Sequence, residues 1–375
     1  MRKILVLGDA NSLWTRRVIE NVLIPCEMSI TLVTSTNTAF EEYYRKNNVE
    51  VVTTVNTNRF LNKYKVVRKV VSIIIFMHYY LHFKRDITHV QFGFYSTLRM
   101  ISVLPKKYKL VITYWGSDLL RIPKNKLLKT RNAVKKADFI SVGSEALLER
   151  IESIYGSDIL RKVRLIRMGI SSIPTIEERV ENRKEIKEKI LGKYAERVSI
   201  MVGYNAGPNQ QHINIIKSID TLDEKVKNRI VLLVPLTYLR NNNDYLKLLK
   251  DEITRTDLKC IVFESFFNEI EMAELCISVD MFINAQTTDA ISGTMLELLC
   301  AGAKVINGGW LKYSFLEQNS IEYDTFNEFS ELPMIVNKYL DYDVALSTTN
   351  RATIKKEFSW TEIKKNWGQV YETLI

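Results

Sequence analysis

Short apolar segments alternate with stretches of helical spacing along the first half of the chain. The first apolar segment, Lys3–Gly8, ends in a polar turn, and helical spacing follows from Leu13 to Leu23. Alternating strand and helix signals over about 170 residues predict a doubly wound parallel sheet. Six further apolar segments carry the strand signal at 29–35, 49–55, 87–92, 110–115, 139–144 and 163–169.

The alternation breaks at GISSIPT, residues 169–175, and a charged helix is predicted over 176–194. A second series of apolar segments then begins, which predicts a second doubly wound sheet. We therefore expect an α/β protein of two Rossmann-like domains, residues 1–172 and 173–350, with their strand ends facing a shared interdomain cleft. The second series lies at 198–204, 230–236, 259–265, 279–285 and 303–309.

The last residues, 351–375, are predicted to end in one amphipathic helix that crosses back to the first domain. Apolar side chains recur there at helical spacing, which places them on one side of the helix. These side chains are Trp360, Ile363, Trp367, Val370, Tyr371 and Leu374.

Polar or glycine-bearing turns directly follow several of the predicted strands. In open parallel sheets ligands bind outside the carboxyl ends of the strands. We therefore expect these turns to build one ligand site. They are Gly8–Ser12, Trp115–Asp118, Gly203–His212, Pro235–Tyr238 and Gln286–Thr294.

The chain of 375 residues carries a net charge of +10, which fits an anionic partner such as nucleic acid, an acidic membrane or a phosphorylated small molecule. Its basic residues are scattered and no nucleic-acid-binding motif is present, so nucleic acid is disfavoured. Four cysteines without a CxxC pair predict reduced thiols, and the N-terminus opens directly on a strand rather than a signal peptide. We expect a cytoplasmic protein; the sequence does not indicate an oligomeric state.

The most apolar segment, Val70–Phe83, has 14 residues between two lysines and is too short to span a bilayer. Together with the bases before it, the segment from Arg59 to Arg85 can rest on an anionic membrane surface. The alternative, a core helix with a solvated charged face, is slightly favoured. Peripheral membrane attachment is therefore a hypothesis.

No metal site is predicted. His78 and His82 have helical spacing but lie among apolar and aromatic residues, where core or interface packing is favoured over zinc. The only DxD sequence, Asp341–Asp343, lies far downstream between predicted helices.

The turn Gly203–His212 opens a helix with small and amide residues, which leaves backbone N–H groups to meet a phosphate. The same residues also suit any tight turn, so the two interpretations are equally weighted. Candidate donor-binding residues here are Gly203, Asn205, Gly207, Asn209 and His212.

The segment TTDAISGTMLELL, residues 287–299, predicts a helix that begins near Ser292, Gly293 and Thr294, with Glu297 about one turn inside. A carboxylate there can accept both hydroxyls of a ribose, although Glu297 could equally be a favourable first-turn acid. Asp289 lies eight positions before Glu297.

Three further side chains are candidate site residues, and for each an ordinary structural role is the alternative. Asp118 could cap a helix or act as a base or sugar contact. Tyr238 could contact the nucleotide and Arg240 its phosphates, or they could be a strand end and a surface arginine.

WGSDLLR, ADFISVGSEALLERI, VRLIRMGIS, the two acids ending at Glu297 and the closing helix together resemble the GT-B glycosyltransferases, family 4 in particular. VGYNAGPNQQHINII and VPLTYLRNNNDYL are similar to the transferases of 4-acetamido-4,6-dideoxygalactose from a dTDP donor. The resemblance implies that Glu297 holds the donor ribose and that Gly293 and Thr294 bind the diphosphate. It makes Asp289 the first acid of the pair, where the family has Glu.

The resemblance also implies an acceptor-side loop with Asn11, Ser12 and a candidate base, Asp9, besides Asp118 and Asp289. Trp115 stands where many family members have His. The implied activity is transfer of a hexose, deoxy or amino sugar included, from a UDP- or dTDP-linked donor to a glycan or lipid-linked acceptor in polysaccharide biosynthesis. No metal or other cofactor is expected, and retention or inversion stays open. Alternatives are a nucleotide-sugar epimerase, a phosphorylase, or a non-catalytic binding subunit.

Overall fold

The computed structural model describes residues 2–54, 65–341 and 348–374. The described chain divides into two compact units. The first runs up to Met168 and resumes at Trp360, and the second spans Gly169–Ser359. The predicted boundaries thus differ by a few residues: the 169–172 segment and the Thr348–Phe358 helix lie in the second unit.

Seven strands form the sheet of the first unit, and every pairing in it is parallel. The strand order is β3-β2-β1-β4-β5-β6-β7. Because helices cover both faces of such a sheet, its central strands β1, β4 and β5 are buried along almost their whole length. The strands are β1 Lys3–Leu7, β2 Ser29–Thr34, β3 Glu50–Thr53, β4 Ile87–Gln91, β5 Lys109–Tyr114, β6 Phe139–Val142 and β7 Val163–Leu165.

Nine α-helices of the first unit fall within the described residues. A π-helical turn, Ile19–Leu23, extends the first of them. The helices are Leu13–Val18, Glu41–Lys46, Lys65–His82, Tyr95–Val103, Ser117–Leu120, Lys124–Leu128, Arg131–Lys136, Glu145–Tyr155 and Trp360–Leu374.

The Trp360–Leu374 helix packs into the core of the first unit, as the amphipathic pattern predicts. Ile363, Trp367 and Tyr371 are buried in one cluster with the first strands. The Tyr371 hydroxyl lies 2.9 Å from His89 Nδ1 of β4, and Trp367 packs against the same imidazole. Burial lowers the pKa of His89 to about 3, so the imidazole is neutral.

Six parallel strands form the sheet of the second unit, in the order β10-β9-β8-β11-β12-β13. The twelve predicted strands of the two sheets are confirmed. The thirteenth is new, because three residues are too few to show a period. The strands are β8 Val198–Val202, β9 Ile230–Pro235, β10 Cys260–Phe263, β11 Met281–Asn284, β12 Lys304–Gly308 and β13 Asp324–Phe326.

The charged helix predicted over 176–194 is interrupted by a 3₁₀ turn at Val180–Asn182. The described α-helices of the second unit are Ile173–Arg179, Arg183–Leu191, His212–Ile219, Glu224–Lys227, Asn243–Arg255, Glu269–Ser278, Gly293–Ala301, Ser314–Gln318, Leu332–Lys338 and Thr348–Phe358.

The second sheet separates two hydrophobic cores, one on each face. Alternate strand residues enter different cores: Ile200 and Val202 join the His212–Ile219 helix, whereas Met201 joins the Gly293–Ala301 helix. This alternation is the period-2 geometry of a strand. The two helices therefore leave the carboxyl ends of the neighbouring strands β8 and β11 toward opposite faces.

Asp280 ties the amino ends of β8 and β11 together. Its carboxylate accepts hydrogen bonds from the backbone N–H and the hydroxyl of Ser199, at 2.7 and 2.9 Å, and ion-pairs with Lys187 and Arg183. Burial by itself raises the pKa of Asp280, but the two cations and the Ser199 N–H outweigh it and leave the pKa lowered. Asp280 thus stays ionised and fixes the alignment of the two strands.

The Lys65–His82 helix shows two contrasting faces. Phe76 and Tyr80 are buried, whereas Val66, Val70 and Ile74 are 75, 49 and 59% exposed. Spacing of four places the three exposed residues on one stripe. The expectation of a charged solvent face is therefore wrong for this stripe. Residues 59–64 of the predicted membrane segment lie outside the described residues.

No helix among residues 2–54, 65–341 and 348–374 is long and apolar enough to cross a bilayer. This finding agrees with the short length of the apolar segment in the sequence. The four cysteines are unpaired: Cys276 and Cys300 are buried, and Cys26 and Cys260 are half-buried.

Candidate functional site

The turns after β8 and β11 are joined to each other at the centre of the second sheet. Asn209 O accepts a hydrogen bond from the Thr287 N–H at 3.0 Å. Asn209 Nδ2 donates to Gln286 Oε1 at 3.1 Å. The strand that follows β8 in the chain, β9, lies on one side of this pair, and the strand that follows β11, β12, lies on the other. Parallel sheets bind ligands where the strand order reverses in this way, at the carboxyl ends of the two strands. The two predicted turns therefore belong to one site.

Gly203 is required by the geometry of its turn. Its φ of +63° is left-handed, and a Cβ there would lie 2.7 Å from His212 Nε2. His212 is fully buried and its Nδ1 lies 2.9 Å from the Tyr245 hydroxyl. Burial lowers the pKa of His212 to about 4, so a neutral imidazole lies behind this turn.

The turn after β9 is hydrogen-bonded to the turn after β8. Asn205 Oδ1 accepts from the Gly207 N–H at 2.8 Å, which makes a tight turn. The Ala206 N–H donates to Tyr238 O at 2.9 Å, and the Tyr238 hydroxyl has the Asn205 side chain as a hydrogen-bond partner. Asn205 therefore links the turns after β8 and β9.

The predicted helix start after β11 is confirmed. The helix begins at Gly293, and Ser292 caps it by accepting from the Met295 N–H at 3.2 Å. The first N–H groups of a helix have no intrahelical partner, so those of Gly293 and Thr294 are available to an anion.

Glu297 is 7% exposed and lies one turn inside this helix, as predicted. The Ser172 hydroxyl donates to Glu297 Oε1 at 2.5 Å. Ser172 was not predicted as a site residue, because it lies 125 positions away and a serine at a predicted domain boundary gives no signal.

Three tyrosine hydroxyls lie around the two acids. The Tyr313 hydroxyl donates to Asp289 Oδ2 at 2.8 Å. The Tyr204 hydroxyl lies near Asp289, with Ser292 and Gln210 as hydrogen-bond partners. Burial, reinforced by the nearby carboxylates, raises the pKa of Tyr204, Tyr238 and Tyr313, so all three hydroxyls stay protonated.

Arg240 is engaged elsewhere. Its guanidinium donates to the backbone oxygen and the carboxylate of Glu264 at 3.1 and 3.0 Å. The predicted contact with donor phosphates therefore stays a prediction, and reaching them would cost this partly exposed ion pair.

In the first unit, Asp9 and Asn11 follow β1 and bind the turn after β2. Asp9 Oδ1 accepts from the Asn11 N–H and the Thr36 hydroxyl at 3.0 and 2.9 Å. Asn11 Nδ2 donates to Asn37 O at 2.8 Å. Ser12 precedes the Leu13–Val18 helix without a side-chain cap hydrogen bond. These acceptor-side candidates lie together in one loop.

Asp118 is buried and joins the turns after β4 and β5. Its carboxylate accepts from the N–H groups of Gly93 and Gly116, both at 2.8 Å, and of Trp115 at 3.1 Å. It is not the helix N-cap, which is Gly116. Burial raises the pKa of Asp118 to about 6, although these N–H groups counteract it. Its geometry is that of a loop-positioning residue; its role as a base stays a prediction.

The described residues hold no group of three or more His, Cys, Asp or Glu side chains placed to bind a metal ion. His78 and His82 are both exposed, with ring centroids 5.7 Å apart, so core packing is wrong for them and packing at an interface stays a prediction. Asp341 ion-pairs with Arg229, and the other two residues of its DxD sequence lie outside the described residues.

No protein-family model and no curated protein matches the sequence. Solved structures do match over the full chain. Anabaena HepE in complex with UDP and glucose has a TM-score of 0.71 at 14% identity, with 100% of both chains covered. A glycosyltransferase from Rickettsia africae gives 0.72 at 17%, covering 100% of this chain and 98% of that one. Sucrose-phosphate synthase from Thermosynechococcus elongatus gives 0.72 at 10%, covering 100 and 99%.

The likeness to these structures shows the fold. Two parallel sheets of seven and six strands, each with helices on its faces, together with this likeness, show the GT-B fold. The fold class predicted from the sequence is thereby confirmed.

Replacing Gly203 with Ala should disrupt the turn after β8. Gly192 is a matched control, because its φ is also left-handed, +53°, but nothing lies within 4 Å of an added Cβ. Both variants also lose stability to backbone strain, because an L side chain rarely adopts a positive φ. Only Gly203→Ala also meets the buried His212 ring, so we expect its free energy of unfolding in urea to fall by at least about 1 kcal/mol more than that of Gly192→Ala. Equal losses would contradict the packing described for this turn.

Proposed function

We propose that the protein is a metal-independent glycosyltransferase that takes a nucleoside diphosphate sugar at the carboxyl ends of β8 and β11. The observation that carries the proposal is the convergence of two acids, a capped helix N-terminus and an amide-rich turn at one point of the second sheet. Similar structures add support: HepE was solved with UDP and with UDP-glucose.

Each part of the candidate site suits one part of such a donor. The N–H groups of Gly293 and Thr294 suit the diphosphate, since a helix N-terminus stabilises negative charge. Glu297, held by Ser172, suits the ribose hydroxyls because an ionised carboxylate is a strong acceptor of two hydrogen bonds. Tyr238 lies beside them and suits a contact with the nucleotide.

The chemical step follows from this placement. An acceptor hydroxyl attacks the anomeric carbon, the bond from that carbon to the diphosphate oxygen breaks, and the acceptor proton passes to a base. The helix N–H groups stabilise the charge that develops on the leaving diphosphate. Asp9 and Asp118 are the candidate bases, with Asn11, Ser12 and Trp115 as acceptor-side contacts.

The acceptor is proposed to be a glycan or a lipid-linked sugar, as the resemblance implies, and the donor a hexose on UDP or dTDP. The alternatives are a nucleotide-sugar epimerase and a non-catalytic binding subunit, of which the binding subunit differs most from a transferase. Release of free nucleoside diphosphate from a panel of UDP- and dTDP-sugars separates this subunit from a transferase, because slow donor hydrolysis marks an active transferase. Nucleotide binding without any release would favour the binding subunit.

Glu297→Ala should weaken binding of UDP or dTDP at least tenfold by isothermal titration, which is about 1.4 kcal/mol. The physical reason is loss of the ribose acceptor. Glu322→Ala, at an exposed glutamate of the same unit, is the control and should leave the affinity unchanged. If Glu297→Ala keeps both its nucleotide affinity and its melting temperature, Glu297 does not bind the ribose and is only a favourable acid in the first turn of the helix.

We further propose that the Lys65–His82 helix rests on an anionic membrane surface. Its exposed stripe of Val66, Val70 and Ile74 is apolar, and the exposed bases Arg68 and Lys69 lie on the same turns. Apolar insertion combined with basic side chains is the pattern of helices that lie in a membrane interface. Such attachment suits a lipid-linked acceptor.

Ile74→Asp should reduce sedimentation with phosphatidylglycerol vesicles at low salt by at least tenfold, because inserting an isoleucine contributes roughly 2 kcal/mol. Leu248→Asp is the matched control, since Leu248 is 60% exposed on a helix of the second unit and Ile74 is 59% exposed. Equal losses of sedimentation in both variants would contradict membrane attachment through this stripe. So would a wild-type protein that does not sediment with the vesicles at any ionic strength.

A further inference from the structure

A chain of buried polar side chains lies behind Asp289. Asn284, at the end of β11, and Asn307, in β12, are fully buried, and Tyr313 is 2% exposed. Asn284 Nδ2 lies 3.0 Å from Asn307 Oδ1 and 2.9 Å from the Tyr313 hydroxyl oxygen. That oxygen in turn lies 2.8 Å from Asp289 Oδ2. The two strands thus reach Asp289 through one tyrosine.

The direction of these hydrogen bonds is fixed by chemistry. An ionised carboxylate only accepts, so the Tyr313 hydroxyl must donate its single hydrogen to Asp289. The Tyr313 oxygen can then only accept from Asn284, which holds the amide of Asn284 with its NH₂ group toward the tyrosine. Asn307 Oδ1 accepts the second hydrogen of that group. The Asn284 amide therefore holds the Tyr313 oxygen, whose hydrogen is directed at the acid.

Both carboxylate oxygens of Asp289 are held. Oδ2 accepts from Tyr313, and Oδ1 accepts from the N–H of Ala290 at 2.9 Å. Asp289 is half-buried, whereas Tyr313 behind it is almost fully enclosed. A short side chain fixed from behind in this way presents its acceptor oxygens in one orientation. Such an acceptor needs no reorganisation when a hydroxyl group arrives.

We propose that Tyr313 is a positioning residue that fixes Asp289 as the hydrogen-bond acceptor for the hydroxyl groups of the donor sugar. The inference deepens the proposed function and rests on it. Where a glutamate would reach the sugar with a longer, unsupported side chain, this chain has an aspartate supported by a buried tyrosine. Tyr313 thereby controls selection of the sugar and leaves recognition of the nucleotide to Glu297 and the helix start.

Tyr313→Phe tests this inference, because it removes one hydroxyl and keeps the packed ring. Tyr323→Phe is the matched control: its hydroxyl donates to Glu317 at 3.2 Å in the same unit and does not contact Asp289. The readout is the ratio of the dissociation constant of a nucleotide sugar to that of its nucleotide. It is measured with UDP-glucose and UDP, or with dTDP-glucose and dTDP, whichever pair the wild type binds.

We expect Tyr313→Phe to change the affinity for the free nucleotide by less than twofold and to raise the ratio at least fivefold. Tyr323→Phe should change neither. A merely structural role would weaken both ligands together and lower the melting temperature. An unchanged ratio in Tyr313→Phe, with the wild type binding both ligands, would overturn the role of Tyr313 and leave the proposed function standing. Failure of the wild type to bind any nucleotide would overturn both.

A double-mutant cycle with Asp289→Asn gives a second measurement that does not depend on one variant folding well. If Tyr313 acts through Asp289, the double variant should lose no more selectivity than Asp289→Asn alone. Independent, multiplying losses would contradict positioning through Asp289.

Discussion

The candidate site depends on one constraint of parallel sheets, the reversal of strand order at β8 and β11. Their chain successors lie on opposite sides, β9 beyond β8 and β12 beyond β11, and their helices pack on opposite faces. The connections that leave these two strands therefore diverge from their carboxyl ends. The turns there are consequently exposed to a ligand while the strands beneath them are fixed, and Asp280 holds the other ends of the same strands in register.

At the carboxyl ends of β8 and β11, the second unit brings together groups with complementary chemistry. Backbone N–H groups at Gly293 supply positive potential, Glu297 and Asp289 supply acceptors, and hydroxyl groups of Ser172 and Tyr313 orient those acceptors. The acids are each held by a hydroxyl from a distant segment, Ser172 for one and Tyr313 for the other. A site built from such pairs is ready for a ligand rich in hydroxyl groups and carrying a diphosphate.

Much of this arrangement is predictable from local sequence. The apolar segments predict twelve strands because parallel strands are buried on both faces, and the turns after them follow directly. The helix start at Gly293 is predictable because Ser292 is a good N-cap residue. The strand at Asp324–Phe326 has too few residues for its pattern to show.

The partners of the acids are not predictable in the same way. Ser172 and Tyr313 meet Glu297 and Asp289 only through tertiary packing, and neither residue carries a motif. Asp118 shows the same limit, since its spacing suggests a helix cap while the fold gives it the N–H groups of Gly93, Trp115 and Gly116. The exposure of the apolar stripe on the Lys65–His82 helix is not predictable either, because sequence periodicity does not decide which face of an apolar helix meets solvent.

A crystal of the protein soaked with UDP or dTDP tests the central claim most directly. The account predicts nucleotide density in the second unit, with the diphosphate at the N–H groups of Gly293 and Thr294 and the ribose hydroxyls at Glu297. A nucleotide bound away from the carboxyl ends of β8 and β11, with no contact to Glu297, would contradict it.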